Sequence, residues 1–505
     1  MWVSGADIVI PRGAWDVEVK SIGARWSQVR GAWTLPATRL NAQLANDLAM
    51  PFPPVSVDLR APAAVPDARL YPYQREAAGR LATTDHGLIV VMSPGLGKTA
   101  VAVAAADLAV PDDQVVVVAP SSLLRTWERE IRKWAAVPGD VYVMEGKVDY
   151  EAATNARWIV ASWDKAAREK DTWGRGWKLF ILDESVLAKS RSSKRYKAIS
   201  RIRRDIDRVW LLSGSPTTRY NDDLWAQLNL VWPRAFPSYW RFAERYCVVE
   251  ETPWARVVSG NRYGRDPMLE NSDLIMVVNQ EDVLDLPEYL FEPPLMAHLT
   301  GRQATQYGRM KDDFVAELGD GTEIVADHEI TRLLRLQQIA SHFDGASAKR
   351  DALMDVILDY EPPYLVWAHW RETANDLGVA LSKHMDTRVV TGELGTKARD
   401  EVIEGYKAGD FPALVLSLGV GKFGHTLTNT KTIVSFDRNF NADDLFQSMH
   451  RVRRIGLTHS PVVLPVVAAG TVDELTVGDN LEAKLRGIAK LTRADLASLL
   501  KGIGR

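Results

Sequence analysis

The sequence predicts an α/β protein: two tandem parallel-sheet lobes preceded by a small α+β module. Three observations carry this expectation. The chain has 505 residues, too many for one domain at about 100–200 residues each. Short apolar runs bounded by turn or charged residues recur in two separate series, the pattern of parallel strands buried on both faces. Five prolines, Pro51, Pro53, Pro54, Pro62 and Pro66, set off the first fifty residues from the rest of the chain, because proline favours extended chain over helix.

Taken from the amino terminus, residues 1–50 are expected to form the small module, with a short helix from Asp16 to Ile22. A hairpin from Arg25 to Leu35 carries Trp26 and Trp33 with Gly31 near its turn, and Leu40, Leu44 and Leu48 then repeat at helical spacing. Residues 51–66 read as a Pro-rich linker and 67–235 as the first lobe, with strands at Leu88–Met92, Gln114–Ala119, Trp158–Ala161, Leu179–Leu182 and Val209–Leu212. Residues 236–344 form an irregular linking segment, with aromatics at Tyr239, Trp240, Phe242 and Tyr246. The second lobe, 345–470, has strands at Tyr364–Ala368, Arg388–Val390, Ala413–Leu416, Thr432–Phe436 and Val462–Val467, and 471–505 reads as a helical extension.

Composition excludes several classes. Hydrophobic residues at 46% and charged ones at 25% exclude wholesale disorder and collagen-like repeats. A formal charge of −3 excludes a uniformly basic protein, so a polyanion must be held by local basic patches. One cysteine, Cys247, excludes an internal disulfide framework and a multi-cysteine zinc site. His369, His425 and His450 lack metal-ligand spacing. No apolar run reaches the roughly 18 residues of a membrane span, and the first residues carry Asp7 and Arg12 rather than a signal-peptide core. The expectation is a soluble, cytoplasmic monomer without a membrane partner.

The strongest local signal is Ser93-Pro-Gly-Leu-Gly-Lys-Thr99, between an apolar strand and the Ala-rich stretch 100–108. Gly95 and Gly97 let the backbone curl so that its N–H groups face phosphate oxygens, and the following helix N-terminus adds positive potential. Ser93, Pro94, Gly95, Leu96, Gly97, Lys98 and Thr99 are thus candidate nucleotide ligands, with Lys98 reaching the β/γ-phosphates and Thr99 binding Mg²⁺. Met92 stands where the strict motif has its leading glycine. An acidic pair, Asp183-Glu184, ends the apolar run Leu179-Phe-Ile-Leu182. Asp183 is placed as the second Mg²⁺ group and Glu184 as the base that activates water.

In this order the motifs resemble those of the superfamily-two helicases, and more closely the Swi/Snf-like double-stranded-DNA translocases, over about residues 70–456. Leu70-Tyr-Pro-Tyr-Gln74 resembles the glutamine motif, which implies Gln74 on the adenine. Ala119-Pro-Ser-Ser-Leu-Leu-Arg-Thr-Trp127 with Glu130 resembles motif Ia, Asp183-Glu-Ser-Val186 motif II, and Leu212-Ser-Gly-Ser-Pro-Thr-Thr218 motif III. Residues 417–428 resemble motif V, and Gln447-Ser-Met-His-Arg451-Val-Arg-Arg454-Ile-Gly456 motif VI. The resemblance implies RecA-like lobes, ATP with Mg²⁺, and catalytic roles for Lys98, Asp183, Glu184, Gln447, Arg451 and Arg454. Spacing by three puts Arg451 and Arg454 on one helix face, with Arg454 the arginine finger. Lys422 stands where the family pattern has Gly, Thr426 where it has Asn, and Leu457 where Gln follows Ile-Gly. With no large insertions, a compact phage or bacterial translocase fits better than a chromatin remodeller.

Nucleic-acid contacts are expected on phosphates. Candidates are Ser121, Ser122 and Arg125 of motif Ia, Ser162 with Trp163, and the basic, hydroxyl-rich Lys189-Ser-Arg191-Ser-Ser-Lys194-Arg195. A solvated charged face accounts for that last segment equally simply. Gly419, Gly421, Lys422, His425 and Thr426 of motif V complete the set. Lys20-Ser-Ile-Gly-Ala-Arg25-Trp26 followed by Gly31-Ala-Trp33 resembles the HARP-type domain of annealing helicases, which implies that Arg25, Trp26 and Trp33 bind DNA. Core packing by tryptophan is the alternative, since 17 Trp exceed 12 Phe and 14 Tyr in this chain. The functional expectation is an ATP-dependent translocase on duplex or branched DNA, acting in branch migration, fork regression or annealing. The alternatives are a strand-separating DNA or RNA helicase and an ATP-gated binding protein.

Overall fold

Runs that are apolar at every position form strands covered on both faces, and two large parallel sheets account for nearly all of them. The computed structural model describes residues 1–48, 50–56, 67–169, 177–218, 220–313, 315–317, 323–325, 329–417, 425–437 and 448–473. Within these the chain divides into two compact units, Met1–Val278 and Asn279–Arg505. The expected extension beyond residue 473, and Gly419, Gly421, Lys422 and Gln447, lie outside the described residues.

The first unit holds a seven-stranded sheet. Its order is Ile275–Val278, Gly87–Met92, Arg208–Ser213, Leu179–Asp183, Val115–Ala119, Trp158–Ser162, Val141–Val143, and every pairing is parallel. The five strands expected from sequence are present. Val141–Val143 and Ile275–Val278 are additions to them; both are short edge strands, and the first is only half-buried throughout, so neither leaves a long apolar run. The register sets Ser213 beside Val91, and Asp183 beside Leu212. The loops after Met92, Asp183 and Ser213 therefore leave from one end of the sheet, the carboxyl end at which α/β sheets bind ligands.

The amino-terminal module is a four-stranded antiparallel sheet, ordered Trp2–Ser4, Asp7–Pro11, Ala32–Pro36, Arg25–Ser27, with helices Asp16–Ser21 and Arg39–Asn46. Ile8, Ile10, Val19, Leu35 and Ala45 form its core. Part of the Pro-rich stretch belongs to it: Phe52 meets Trp15 edge-on at 5.0 Å, and the Asn46 side chain bonds both the N–H and the carbonyl of Val55.

In the second unit the sheet order is Leu290–Phe291, Val462–Ala469, Thr432–Ser435, Tyr364–Ala368, Ala413–Ser417, Thr387–Val390, with Leu295–His298 also pairing to Val462–Ala469. Leu365 and Trp367 face one core cluster while Tyr364, Val366 and Ala368 face another. Strict alternation between two apolar faces is why the sequence reads as an unbroken apolar run. The stretch 236–344 divides: Ile275–Val278 completes the first sheet, and Leu290–Phe291 and Leu295–His298 lie against the second.

Candidate nucleotide site and nucleic-acid interface

The phosphate loop leaves the buried strand Gly87–Met92 and enters helix Lys98–Ala109. Gly97 has φ of +81°, and a β-carbon there would lie 2.4 Å from Gln74 Nε2. Only glycine meets both conditions. Gln74 is buried; its Oε1 accepts from Tyr71 N at 3.0 Å and its Nε2 donates to Leu96 O at 2.9 Å. Tyr73 Oη donates to the same carbonyl at 3.1 Å. Gln74 thus braces the loop, where the resemblance implied contact with adenine. Ser93 N donates to Val278 O at 3.1 Å, so the edge strand Ile275–Val278 fixes the loop's start. Lys98 Nζ donates to Met92 O at 3.1 Å, and a β-carbon on Gly214 would lie 3.8 Å from Lys98 Nζ.

Asp183 is 5% exposed. Trp127 Nε1 donates to its Oδ2 at 2.9 Å, Glu184 N to its Oδ1 at 3.0 Å, and Trp163 Nε1 to its main-chain carbonyl at 3.0 Å. Burial, and then the neighbouring Glu184 charge, push the Asp183 carboxyl up to about 6. Such a group is suited to a cation. Glu184 sits at φ 49°, ψ 54°, a left-handed conformation costing a non-glycine residue on the order of 1 kcal/mol. Ser185 Oγ donates to Gln227 Oε1 at 2.7 Å, and Gln227 Nε2 donates to Pro216 O at 2.6 Å. Gln227 therefore ties the acidic turn to the 213–218 loop. Trp127, Trp163 and Gln227 have no sequence signal for these roles: each acts through a partner at least 11 residues away.

In the second unit Arg454 Nη1 donates to Thr426 Oγ1 at 2.9 Å and its Nε to His450 O at 2.7 Å. Burial, then the Arg451 charge, hold the Arg454 guanidinium well below its ordinary value, so an anion beside it would be stabilised. The two arginines do not share a helix face. Residues 450–456 are turns, with Arg451 N bonded to Ser448 O and Arg454 N to Val452 O. Two carbonyls a helix would use have other donors, Leu427 N on Arg451 O and Gln280 Nε2 on Arg453 O, while Tyr289 Oη shares Met449 O with Val452 N and Arg453 N.

A model for the SNF2-related domain matches residues 41–343, more than half of the chain. The chain belongs to the SNF2-related family. A model for the helicase conserved C-terminal domain matches residues 348–456 of this SNF2-related protein. It is 25% identical over 419 residues to a SWI/SNF-related matrix-associated actin-dependent regulator of chromatin subfamily A-like protein 1 from Xenopus tropicalis, covering 81% of this chain and 43% of that relative. It is 24% identical over 442 residues to the DNA annealing helicase and endonuclease ZRANB3 of Bos taurus, covering 83% and 40%. The chain thus spans less than half the length of these relatives. The Hef helicase domain of Pyrococcus furiosus has the same fold, with a TM-score of 0.51 at 14% identity over 80% of this chain and 97% of that one.

The other candidates of this SNF2-related protein fall in several places. Ser121 and Ser122 open the turn Ser121–Leu123 at the carboxyl end of strand Val115–Ala119, and Ser121 is exposed. Arg125 is exposed but paired with Glu128 at 2.9 Å and with Glu145. Ser162 caps helix Trp163–Arg168, accepting from Lys165 N at 3.1 Å, and Trp163 is core. Lys189 donates to Thr218 Oγ1 and pairs with Asp223 at 3.8 Å. Arg191 lies 4.2 Å over the Tyr239 ring, Arg195 pairs with Asp164 at 3.1 Å, and Lys194 is exposed. His425 lies 3.4 Å from Asp400. In the amino-terminal module Trp26 and Trp33 meet edge-on at 5.6 Å, Trp33 Nε1 donates to Asp16 Oδ1 at 2.8 Å, and Arg25 is exposed. No described helix is long and apolar enough to cross a membrane.

Proposed function

We propose that this protein is an ATP-dependent DNA translocase that remodels branched or partly unwound DNA. The observation that supports it best is the chain of bonds from the acidic turn to the basic segment. Gln227 joins Ser185 to Pro216, and Lys189 joins the same 213–218 loop through Thr218. A change at Asp183-Glu184 on hydrolysis thereby has a short covalent and hydrogen-bonded route to Lys189, Arg191 and Lys194. Motion follows if that grip differs between nucleotide states.

The residues fit a magnesium-bound triphosphate. Gly97 leaves no room for a side chain beside the loop, Lys98 supplies a cation, and Asp183 is a carboxylate whose charge is disfavoured until a cation binds. Bound Mg²⁺ would neutralise phosphate charge; the Thr99 hydroxyl and the Asp183 carboxylate would hold it. Glu184 orients and deprotonates water, and Arg454, with Arg451 beside it, stabilises charge on the transferring phosphoryl group. The amino-terminal module, resembling a HARP-type domain, offers Trp26 and Arg25 to DNA by stacking and charge.

The test is ATP hydrolysis measured with single-stranded, duplex, forked and four-way DNA and with duplex RNA. Duplex and branched DNA should stimulate turnover. Glu184→Gln should lower kcat by at least about a hundredfold with nucleotide binding retained. Turnover indifferent to every nucleic acid would refute the reading, and stimulation by RNA alone would move it to an RNA helicase.

A further inference from the structure

The cations of the basic segment after the acidic turn are not equally engaged. Lys189 turns inward to Thr218 and Asp223, and Arg195 pairs with Asp164. Arg191 is exposed, and among the described residues no carboxylate lies within ion-pair distance of it. Its guanidinium is nevertheless held in place. It lies 4.2 Å over the Tyr239 ring and 5.4 Å over the Trp240 ring, and those two rings meet edge-on at 4.9 Å. Arg256 lies over the same Trp240 at 4.6 Å, but Glu244 and Glu251 both pair with it. Of the two arginines on this aromatic shelf, Arg191 is the one without a carboxylate among the described residues.

The shelf is itself anchored. Tyr239 opens helix Tyr239–Tyr246. Its hydroxyl donates to Asp222 Oδ2 at 2.7 Å, and its ring meets Trp225 edge-on at 5.7 Å. Burial, and then Asp222, raise the Tyr239 pKa, so the phenol proton stays in that bond. The next residue, Asp223, accepts from Thr218 N at 2.9 Å and from Thr218 Oγ1 at 3.0 Å. Adjacent carboxylates therefore hold the shelf and the 213–218 loop. A cation placed over a ring has one side already covered and loses little freedom when it binds. The N–H donors on its other side remain for an anion, and the planar fork of arginine suits the paired oxygens of a phosphate. Exposed Lys194, in the same segment, adds charge of the same sign, which favours a polyanion over a lone carboxylate.

We infer that Tyr239 is a positioning residue for DNA binding: with Trp240 it holds Arg191 against a backbone phosphate. The inference rests on the DNA-translocase reading and deepens it, separating the arginine that meets the strand from Lys189 and Arg195, which are engaged in internal pairs. A contact of this kind fixes the protein on the strand without reading base sequence.

The test is a double-mutant cycle on the full chain, read as duplex-DNA binding over a series of salt concentrations. Arg191→Gln should weaken binding about tenfold and reduce the slope of log affinity against log salt by about one. In a Tyr239→Leu chain the same substitution should cost no more than about twofold, since the cation is no longer aimed. Tyr239→Phe keeps the ring and should restore the tenfold cost. Arg191→Lys leaves both rings intact and keeps the charge, so it should preserve the slope while weakening binding severalfold. Equal costs of Arg191→Gln in the parent and Tyr239→Leu chains, or an Arg191→Lys chain as tight as the parent, would overturn the shelf. So would an Arg191→Gln chain that binds duplex as tightly as the parent, which would leave the shelf to an acidic protein segment. Failure of the translocase reading is distinct: the parent chain would then show no DNA-stimulated hydrolysis, whatever the cycle returns.

Discussion

Asp183 is a carboxylate held where its charge is disfavoured, so its ionisation opposes folding. Its folded value is raised from 3.8 to about 6. A raised carboxylate contributes stability that is present below about pH 4 and lost as pH rises through about 6. Metal-free protein should therefore lose up to about 2–3 kcal/mol across that window relative to Asp183→Asn. Thermal melting of both proteins at pH 4.5, 5.5 and 7 should show the gap opening with pH, and added MgATP should close it for the parent only. A gap independent of pH would show that burial does not disfavour the charge. At Gly97 the expectation is steric. Alanine would force a residue with φ of +81° to carry a β-carbon 2.4 Å from Gln74 Nε2. Gly97→Ala should weaken ATP binding at least about tenfold by calorimetry, because loop and brace must both move.

The arginine-bearing turn is held by a neighbouring segment as well as by its own hydrogen bonds. Arg453, itself buried, donates to Pro287 O at 3.2 Å and Leu286 O at 3.3 Å and pairs with Glu281 at 3.3 Å. Its N–H meets Tyr289 Oη at 3.2 Å, and its carbonyl accepts from Gln280 Nε2 at 3.0 Å. Arg453 is thus a positioning residue for Arg451 and Arg454. Arg453→Ala should lower kcat for ATP about tenfold or more while KM moves little, and steady-state kinetics would expose the split. A fall in kcat accounted for by an equal fall in the folded fraction, read from the melting curve or by active-site titration, would mark general unfolding instead. This arrangement also explains how far the sequence is legible. Strands such as Tyr364–Ala368 are legible because both faces are covered. The phosphate loop and the acidic pair are legible because their chemistry is local. The turn at 450–456 is not, since the carbonyls of Arg451 and Arg453 are taken by Leu427 and Gln280 from distant positions. The edge strand Ile275–Val278 and the hairpin Cys247–Glu251 with Arg256–Asn261 leave no long apolar run, and both read as irregular.

At the scale of the molecule, the amino-terminal module is built into the first unit. Arg39 N donates to Asp273 Oδ2 at 3.0 Å, Arg39 Nη1 to Ser272 Oγ at 3.3 Å, Arg241 Nη2 to Ser21 O at 3.1 Å, and Arg234 pairs with Asp7 at 2.8 Å. Asp273 is raised by burial, so loss of Arg39 leaves a poorly solvated carboxylate. It lies two residues before the strand whose Val278 O fixes Ser93 of the phosphate loop. The module therefore bears on the loop at 93–99 as well as on the DNA contact proposed for it. Deleting residues 1–48 should lower the melting temperature by a few degrees, as an uncompensated buried carboxylate does in a chain of this size, and should raise KM for ATP severalfold. Asp273→Ala in the intact chain removes the same tie without touching Trp26 or Arg25, and should raise KM in the same direction while fork binding is kept. If truncated and intact proteins share one KM and one melting temperature, the module is a tethered passenger and the route through Asp273 carries nothing.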